Sequence, residues 1–222
     1  MASKLPFESA VATGRGDDGT TGLLFGGERA PKDDLRIEAY GTIDEAVAAL
    51  GLARAELGMR EQLGVLNSSF GDLDRLILRV QRELFVAAAE LATNPDARER
   101  ARDGETRVSA AMVEGIDATL RDVEAAVELP REFVVPGETR TSAALEVART
   151  VLRRAERRVV SLHRQGLIPE GYLLQYLNRL ADLLWILARA AEQAEARTAT
   201  VARIDRSRAA RREAAVPERT TQ

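Results

Sequence analysis

The chain contains no cysteine. Disulfides, thiolate metal sites and a cysteine nucleophile are therefore excluded. It contains one histidine, His163, which excludes a multi-histidine metal centre. Aromatic residues make up only 4 % of the 222 positions. No apolar run reaches the roughly 18 residues that a membrane-spanning helix needs. The first ten residues lack the basic stretch and apolar core of a secretory signal. The net charge is −3, so no overall field gathers nucleic acid or a membrane surface, and neither is expected as a partner. These absences together lead us to expect a reduced cytoplasmic setting.

What is present favours helix. Hydrophobic residues amount to 45 % of the chain, enough for one good core. Alanine, leucine, arginine and glutamate dominate, and all four propagate helices well. Apolar spacing predicts five helical segments, at about 35–57, 72–92, 108–127, 139–163 (or 141–163) and 170–198. Asp33 or Asp34 would cap the first, which is expected to end at Gly58. The second should stop at Asn94-Pro95, and the charged stretch 98–106 reads as a loop. Gly166 should close the fourth. No segment reads as a strand pair. The expected fold is all-α: an antiparallel five-helix bundle spanning 13–198, with a flexible N-terminus at 1–12, a glycine-rich N-terminal arm and a disordered basic tail at 199–222. From Arg203 that tail holds six arginines against three acids.

Two segments carry chemistry. The fourth helix contains ARTVLRRAERR at 148–158. At about 100° per residue, Arg149, Arg153 and Glu156 fall within roughly 60° of one another, with Arg157 beside them. Ala144, Val151, Ala155 and Val159 occupy the opposite, packing side. Guanidiniums concentrated on a rigid element suit a polyanion such as a triphosphate. A solvated face of i,i+4 pairs has the same composition. The second segment is the arm, with Gly14, Gly16, Gly19, Gly22, Gly26 and Gly27 among Thr13, Thr20 and Thr21. Glycines let backbone N–H groups approach an anion, threonines add donors, and Lys32 adds a point charge. The P-loop spacing is absent, and no strand-like run precedes the glycines as a dinucleotide fingerprint requires. Taken alone, such an arm also fits a flexible terminus.

The order of these pieces resembles the PduO-type ATP:cob(I)alamin adenosyltransferases. The resemblance rests on GDDGTTGLL at 16–24, PKDD at 31–34, AYGTIDE at 39–45, FVVPG at 133–137, ARTVLRRAERR at 148–158 and YLNRLADLL at 176–184. It runs from about residue 13 to 191. It implies transfer of the 5′-deoxyadenosyl group of ATP to the cobalt of a reduced corrinoid, cob(I)alamin, with release of triphosphate and formation of adenosylcobalamin. Co(I) is then the nucleophile, so the protein needs no serine, cysteine or histidine for attack.

The resemblance also distributes roles. ATP would be held by Thr13, Gly14, Arg15, Gly16, Thr20, Thr21, Gly22, Lys32, Arg153, Arg154, Glu156, Arg157 and Asn178. Mg²⁺ is expected with the triphosphate and is assigned no protein ligand directly; Glu156 is the candidate to help place it or to orient an arginine. Asp44 and Arg149 would form a salt bridge across a subunit boundary near the corrinoid. Phe133 would lie against the lower face of the corrin ring, displace the lower axial ligand and leave four-coordinate cobalt, which is easier to reduce. A homotrimer with sites between subunits is implied, and an adenosylcobalamin-dependent mutase and a reductase are the expected partners. Read without the resemblance, Asn178 could be an amide linking helices, Asp44 a surface acid and Phe133 a core anchor of its link.

This chain departs from the family pattern at several points. Arg15 stands before Gly16-Asp17 where threonine is usual, and one extra residue sits near Phe25. Glu146 replaces a common histidine, and Ala46-Val47 replace Leu-Asn. The departures bear on how the arm closes. They keep open an adenosylcobalamin carrier with little turnover, and the bare helical pattern also fits a scaffold that binds no nucleotide.

Overall fold

Five α-helices form, each where apolar spacing places one. The computed structural model describes residues 9–62 and 69–203. Residues 1–8 and 204–222, and with them most of the expected flexible N-terminus and basic tail, lie outside the described residues.

Helix α1 spans Leu35–Gln62, and the Asp34 carboxylate accepts from the Arg36 N–H at 2.8 Å. Asp34 is thus the cap, satisfying one of the donors every helix start leaves free. The helix continues past Gly58 because glycine costs a helix only about 1 kcal/mol, which burial of the preceding Ala53 and Leu57 offsets. Helix α2 spans Ser69–Ala92. Beyond it, Asn94 caps a 3-10 turn over Pro95–Arg100, accepting from the Asp96 N–H at 3.0 Å. Residues 98–100, expected in a loop, belong to this turn, since Pro95 presets a helical φ at its start.

Helix α3 spans Ala110–Ala126 behind the Ser109 cap. Helix α4 spans Arg140–Arg164 and opens with a reciprocal cap between Thr139 and Ser142. It closes where Gly166 adopts φ +67°, and the Gly166 N–H donates to the His163 carbonyl at 2.9 Å. Helix α5 spans Leu173–Ala194, shorter at both ends than its spacing suggests. Ala196 at φ +54° turns the chain away from the helical path.

Helix α4 lies between α1 and α5, α2 covers α1, and α3 covers α5. Ion pairs reveal the directions. Glu38, Glu45 and Glu56 of α1 meet Arg158, Arg154 and Arg140 in reverse order, so α1 and α4 are antiparallel. Asn178 meets Glu156 and Arg189 meets Glu146, so α4 and α5 are antiparallel too. Between the layers, Ile43, Leu50, Ile77, Leu84, Leu145, Leu152, Val159, Leu177 and Leu180 are wholly buried. Each such side chain contributes about 1.5–3 kcal/mol of transfer free energy.

Two short ladders, which no alternation in the sequence announces, pin the ends. Strand β1 (Thr20–Thr21) pairs antiparallel with β2 (Ala30–Pro31), and β3 (Val134–Val135) pairs antiparallel with β4 (Thr200–Val201). Two-residue strands are too short to display a period of two. Residues 200–201, read from sequence as the start of a disordered tail, therefore form a strand, and the Ala202 N–H donates to the Phe133 carbonyl at 2.7 Å. Among the described residues no helix is long and apolar enough to cross a membrane.

Candidate active site

The N-terminal arm closes on itself. The Arg29 side chain donates from Nε to the Thr20 hydroxyl (2.7 Å) and from Nη2 to the carbonyls of Arg15 (2.7 Å) and Thr20 (2.9 Å). Lys32 donates from Nζ to the Gly16 carbonyl at 2.7 Å. A Cβ on Gly16 would lie 2.9 Å from that Nζ, so a larger residue there would make the Lys32 side chain shift. The Asp18 carboxylate accepts from the Thr20 hydroxyl at 2.7 Å and from the Thr20 N–H at 2.9 Å. Those bonds, the hydroxyl's first, hold the Asp18 carboxyl below the usual carboxylate value.

Sequence reasoning offered the N–H groups of this segment as a phosphate cradle. In the structure those of Asp17, Gly19 and Thr20 are spent on Gly14, Gly16 and Asp18. Thr13 takes up the Arg15 N–H at 3.5 Å, while Thr21 lies in β1 and Gly22 directly follows it. The arm is an ordered turn rather than a loose terminus. The extra residue near Phe25 has a definite place: Phe25 adopts φ +69°, and its ring lies 4.5 Å from the Arg100 guanidinium.

On α4 the cationic strip divides. Arg154 pairs with Glu45 of α1, and Arg158 with Glu38 and Thr42. Arg154, assigned to ATP by resemblance, is thus engaged with α1 in this chain. Arg149 and Arg153 face the other way, toward the α5 side. Glu156 accepts from the Asn178 amide at 3.1 Å, and its other oxygen lies 3.9 Å from Arg153 Nη1. Arg157 donates to the Arg153 carbonyl at 3.0 Å. One acid therefore orders an arginine from α4 and an amide from α5.

Arg149 and Arg153 meet Phe133, Glu146 and Trp185 along a cleft of about 580 Å³ between α4, α5 and the 130–136 link. Phe133 is 91 % exposed. It is not a core anchor, and its bare ring is free to meet a flat apolar ligand. Asp44, exposed on α1, makes no hydrogen bond or ion pair among the described residues. Within the chain Arg149 pairs instead with Glu146, at 2.6 Å. The structure thus gathers Phe133, Arg149, Arg153, Glu156 and Asn178, and keeps the arm and Asp44 apart from them.

The family model for cobalamin adenosyltransferase matches residues 11–191. The chain belongs to the cobalamin adenosyltransferase family. It is 42 % identical over 178 residues to the corrinoid adenosyltransferase of Bacillus subtilis, covering 80 % of this chain and 83 % of that protein. It is 38 % identical over 187 residues to the corrinoid adenosyltransferase of Mycobacterium tuberculosis, covering 82 % and 88 %. The fold is similar to that of a variant PduO-type ATP:corrinoid adenosyltransferase from Lactobacillus reuteri complexed with cobalamin and ATP. That likeness has a TM-score of 0.71 and 29 % identity, over 86 % of this chain and 97 % of the other. The ATP:corrinoid adenosyl transfer expected from the sequence is the activity these relatives bear out.

Three side chains of this adenosyltransferase escaped sequence reasoning. Arg29 lies outside the quoted motifs, and nothing local signals that it ties the arm together. Trp185 sits in the cleft wall although its spacing is that of a core residue. Arg189 is 1 % exposed, beside Glu146 and Glu192. A lone arginine in an apolar run of α5 was the available signal, since such a charge needs buried partners.

Proposed function

We propose that this adenosyltransferase seats the corrinoid beside Phe133 and Arg149, and the triphosphate of ATP along Arg153 and Arg157, with Glu156 and Asn178 orienting them. The lone pair of Co(I) attacks the 5′ carbon of ATP. The carbon–oxygen bond breaks, and triphosphate leaves with that electron pair. The chain's contribution is positioning and charge neutralisation rather than covalent chemistry. The observation that carries this reading is the shared cleft: an exposed phenyl ring and two arginines line the same wall.

Mg²⁺ fits the donor set in one way. Among the described residues no group of three acids or histidines could hold a metal ion. Glu156 would be a single protein ligand to an ion held mainly by phosphate oxygens, which suits magnesium's retained waters. The ion would neutralise charge on the leaving triphosphate.

A homotrimer with its sites between subunits is part of the proposal. In support, the arm's hydrogen bonds close within the arm or onto the end of α2 and the 3-10 turn, and those of the strip close within α4 or onto α1 and α5. An ATP touching both sets is best served by two copies, and Asp44 of one copy would then meet Arg149 of another. Lys32, with Thr13, Gly14, Arg15, Gly16, Thr20, Thr21 and Gly22, would close over the nucleotide from the neighbouring copy. A cytoplasmic location, a reductase to supply Co(I) and an adenosylcobalamin-dependent mutase to receive the product complete the reading.

The test is anaerobic incubation with chemically reduced cobalamin, ATP and Mg²⁺. We expect the spectrum of a cobalt–carbon bond to grow in step with triphosphate. Folded protein that forms no such bond would overturn the reading, and tight adenosylcobalamin binding without turnover would mark a carrier. Light scattering of the full chain tests the trimer.

A further inference from the structure

From the wall of the cleft inward runs a charged cluster of which the proposed chemistry uses only Arg149. The Glu146 side chain is 4 % exposed and its two oxygens face two arginines. One accepts from Arg149 Nε at 2.6 Å; the other lies 3.3 Å from Arg189 Nη1, an ion contact without hydrogen-bond alignment. Arg189 donates in turn to Glu192 at 2.8 Å, and both are nearly inaccessible. Two arginines and two carboxylates neutralise one another in sum, the condition under which charges can remain this deep.

We propose that Glu146 is a positioning residue for corrinoid handling: it holds the Arg149 guanidinium in the cleft before substrate arrives, and Arg189 holds Glu146. The proposal rests on the reading of Arg149 given above. The geometry assigns the role for three reasons. Arg149 is the one member of the cluster that reaches solvent, at 24 % exposure. Among the described residues its Nε alone is hydrogen-bonded, so both terminal nitrogens keep their N–H groups for an acceptor from outside the chain. Moreover, a guanidinium gripped at Nε is restrained about its long axis, which reduces the ordering cost when that acceptor binds. If Arg149 turns to such an acceptor, Glu146 is not left as an unpaired buried charge, because Arg189 stays beside it.

The experiment is a double-mutant cycle read by separate KM values. Glu146→Gln keeps the shape and removes the charge. It should raise the corrinoid KM about tenfold while the ATP KM stays within about twofold. In an Arg149→Ala background the same change should alter the corrinoid KM by less than about twofold, because its route of action is gone. A structural role predicts otherwise: both KM values rise together, or the two effects multiply, and either result overturns the proposal. An unchanged corrinoid KM in Glu146→Gln, with a raised one in Arg149→Ala, overturns it while leaving the reading of Arg149 intact. An unchanged corrinoid KM in Arg149→Ala itself removes that reading. Should Glu146→Gln fail to fold, Glu146→Asp withdraws the carboxylate by one methylene, and an intermediate corrinoid KM is expected; a wild-type value overturns the proposal. Failure of both variants to fold assigns Glu146 to the core and also overturns it.

Discussion

Replacing Phe133 by alanine separates the cleft's chemistry from its architecture. A buried phenylalanine typically costs about 3–5 kcal/mol when truncated. Phe133 is 91 % exposed, and surface substitutions usually stay within about 0.5 kcal/mol. The melting temperature of Phe133→Ala should therefore match that of the parent chain. Binding is a different matter. A ring covered only when the corrinoid arrives adds about 1.5–3 kcal/mol at that moment, so corrinoid affinity should fall tenfold or more. Truncation also opens space for water or the corrinoid's own base to return to cobalt. The bound cob(II)alamin spectrum, taken with ATP present, should then shift from four- to five-coordinate. Activity should drop steeply with cob(II)alamin and a weak reductant, and less when Co(I) is supplied chemically. A folded variant with an undiminished four-coordinate signal would refute this role. A melting temperature lowered by many degrees would refute the exposed placement instead.

Arg153→Ala should raise the ATP KM or lower turnover at limiting ATP by tenfold or more, the effect of losing a charge-assisted contact worth about 1.5–3 kcal/mol. Lysine should rescue it poorly, because a point charge lacks the planar fork, and full activity at limiting ATP would show a merely solvated face. Asp44→Asn should raise the corrinoid KM about tenfold with little change in helical content or ATP KM; equal losses for both substrates would place Asp44 elsewhere. Glu90 supplies a test of pH dependence. Burial pushes its carboxyl above the ordinary 4.5, partly offset by the Val108 N–H donated to it at 2.7 Å. The folded state therefore holds that proton more tightly than the unfolded chain, and stability falls as pH rises from the unfolded value through the raised one. Glu90→Gln keeps an acceptor for Val108, so it should melt higher than the parent at pH 7 and alike near pH 4. A variant that melts lower at pH 7 by calorimetry would contradict the sign.

Much of the fold is legible in the chain because helical information is local. Apolar residues three and four apart define a face whatever lies opposite, and Thr139 or Asn94 announces a boundary within a few residues. So the five helices, the stop at Asn94-Pro95 and the closing Gly166 can be read directly. The errors occur where local signals are weak: Gly58 inside α1, where burial of Leu57 outweighs propensity, and the trimmed ends of α5. The ladder of β3 with β4 was not legible, since its two-residue strands pair positions some 65 apart along the chain.

The active site divides along the same line. Composition and helical phase placed Arg149, Arg153 and Glu156 on one strip, and the motif order carried the family. Helix crossing decided what each arginine does. Arg154 and Arg158 project toward α1 and find Glu45 and Glu38, whereas Arg149 and Arg153 project toward α5 and the Phe133 link. One residue, about 100° of helical phase, separates these fates, and no local pattern states which neighbour occupies which side. Arg29 threading the arm and Arg189 backing Glu146 are non-local in the same sense. The sequence by itself determined which helices form and which chemistry they carry; the tertiary structure alone decided where the short strands pair, which charges neutralise one another and which remain for a ligand, because pairing depends on through-space partners that periodicity does not encode.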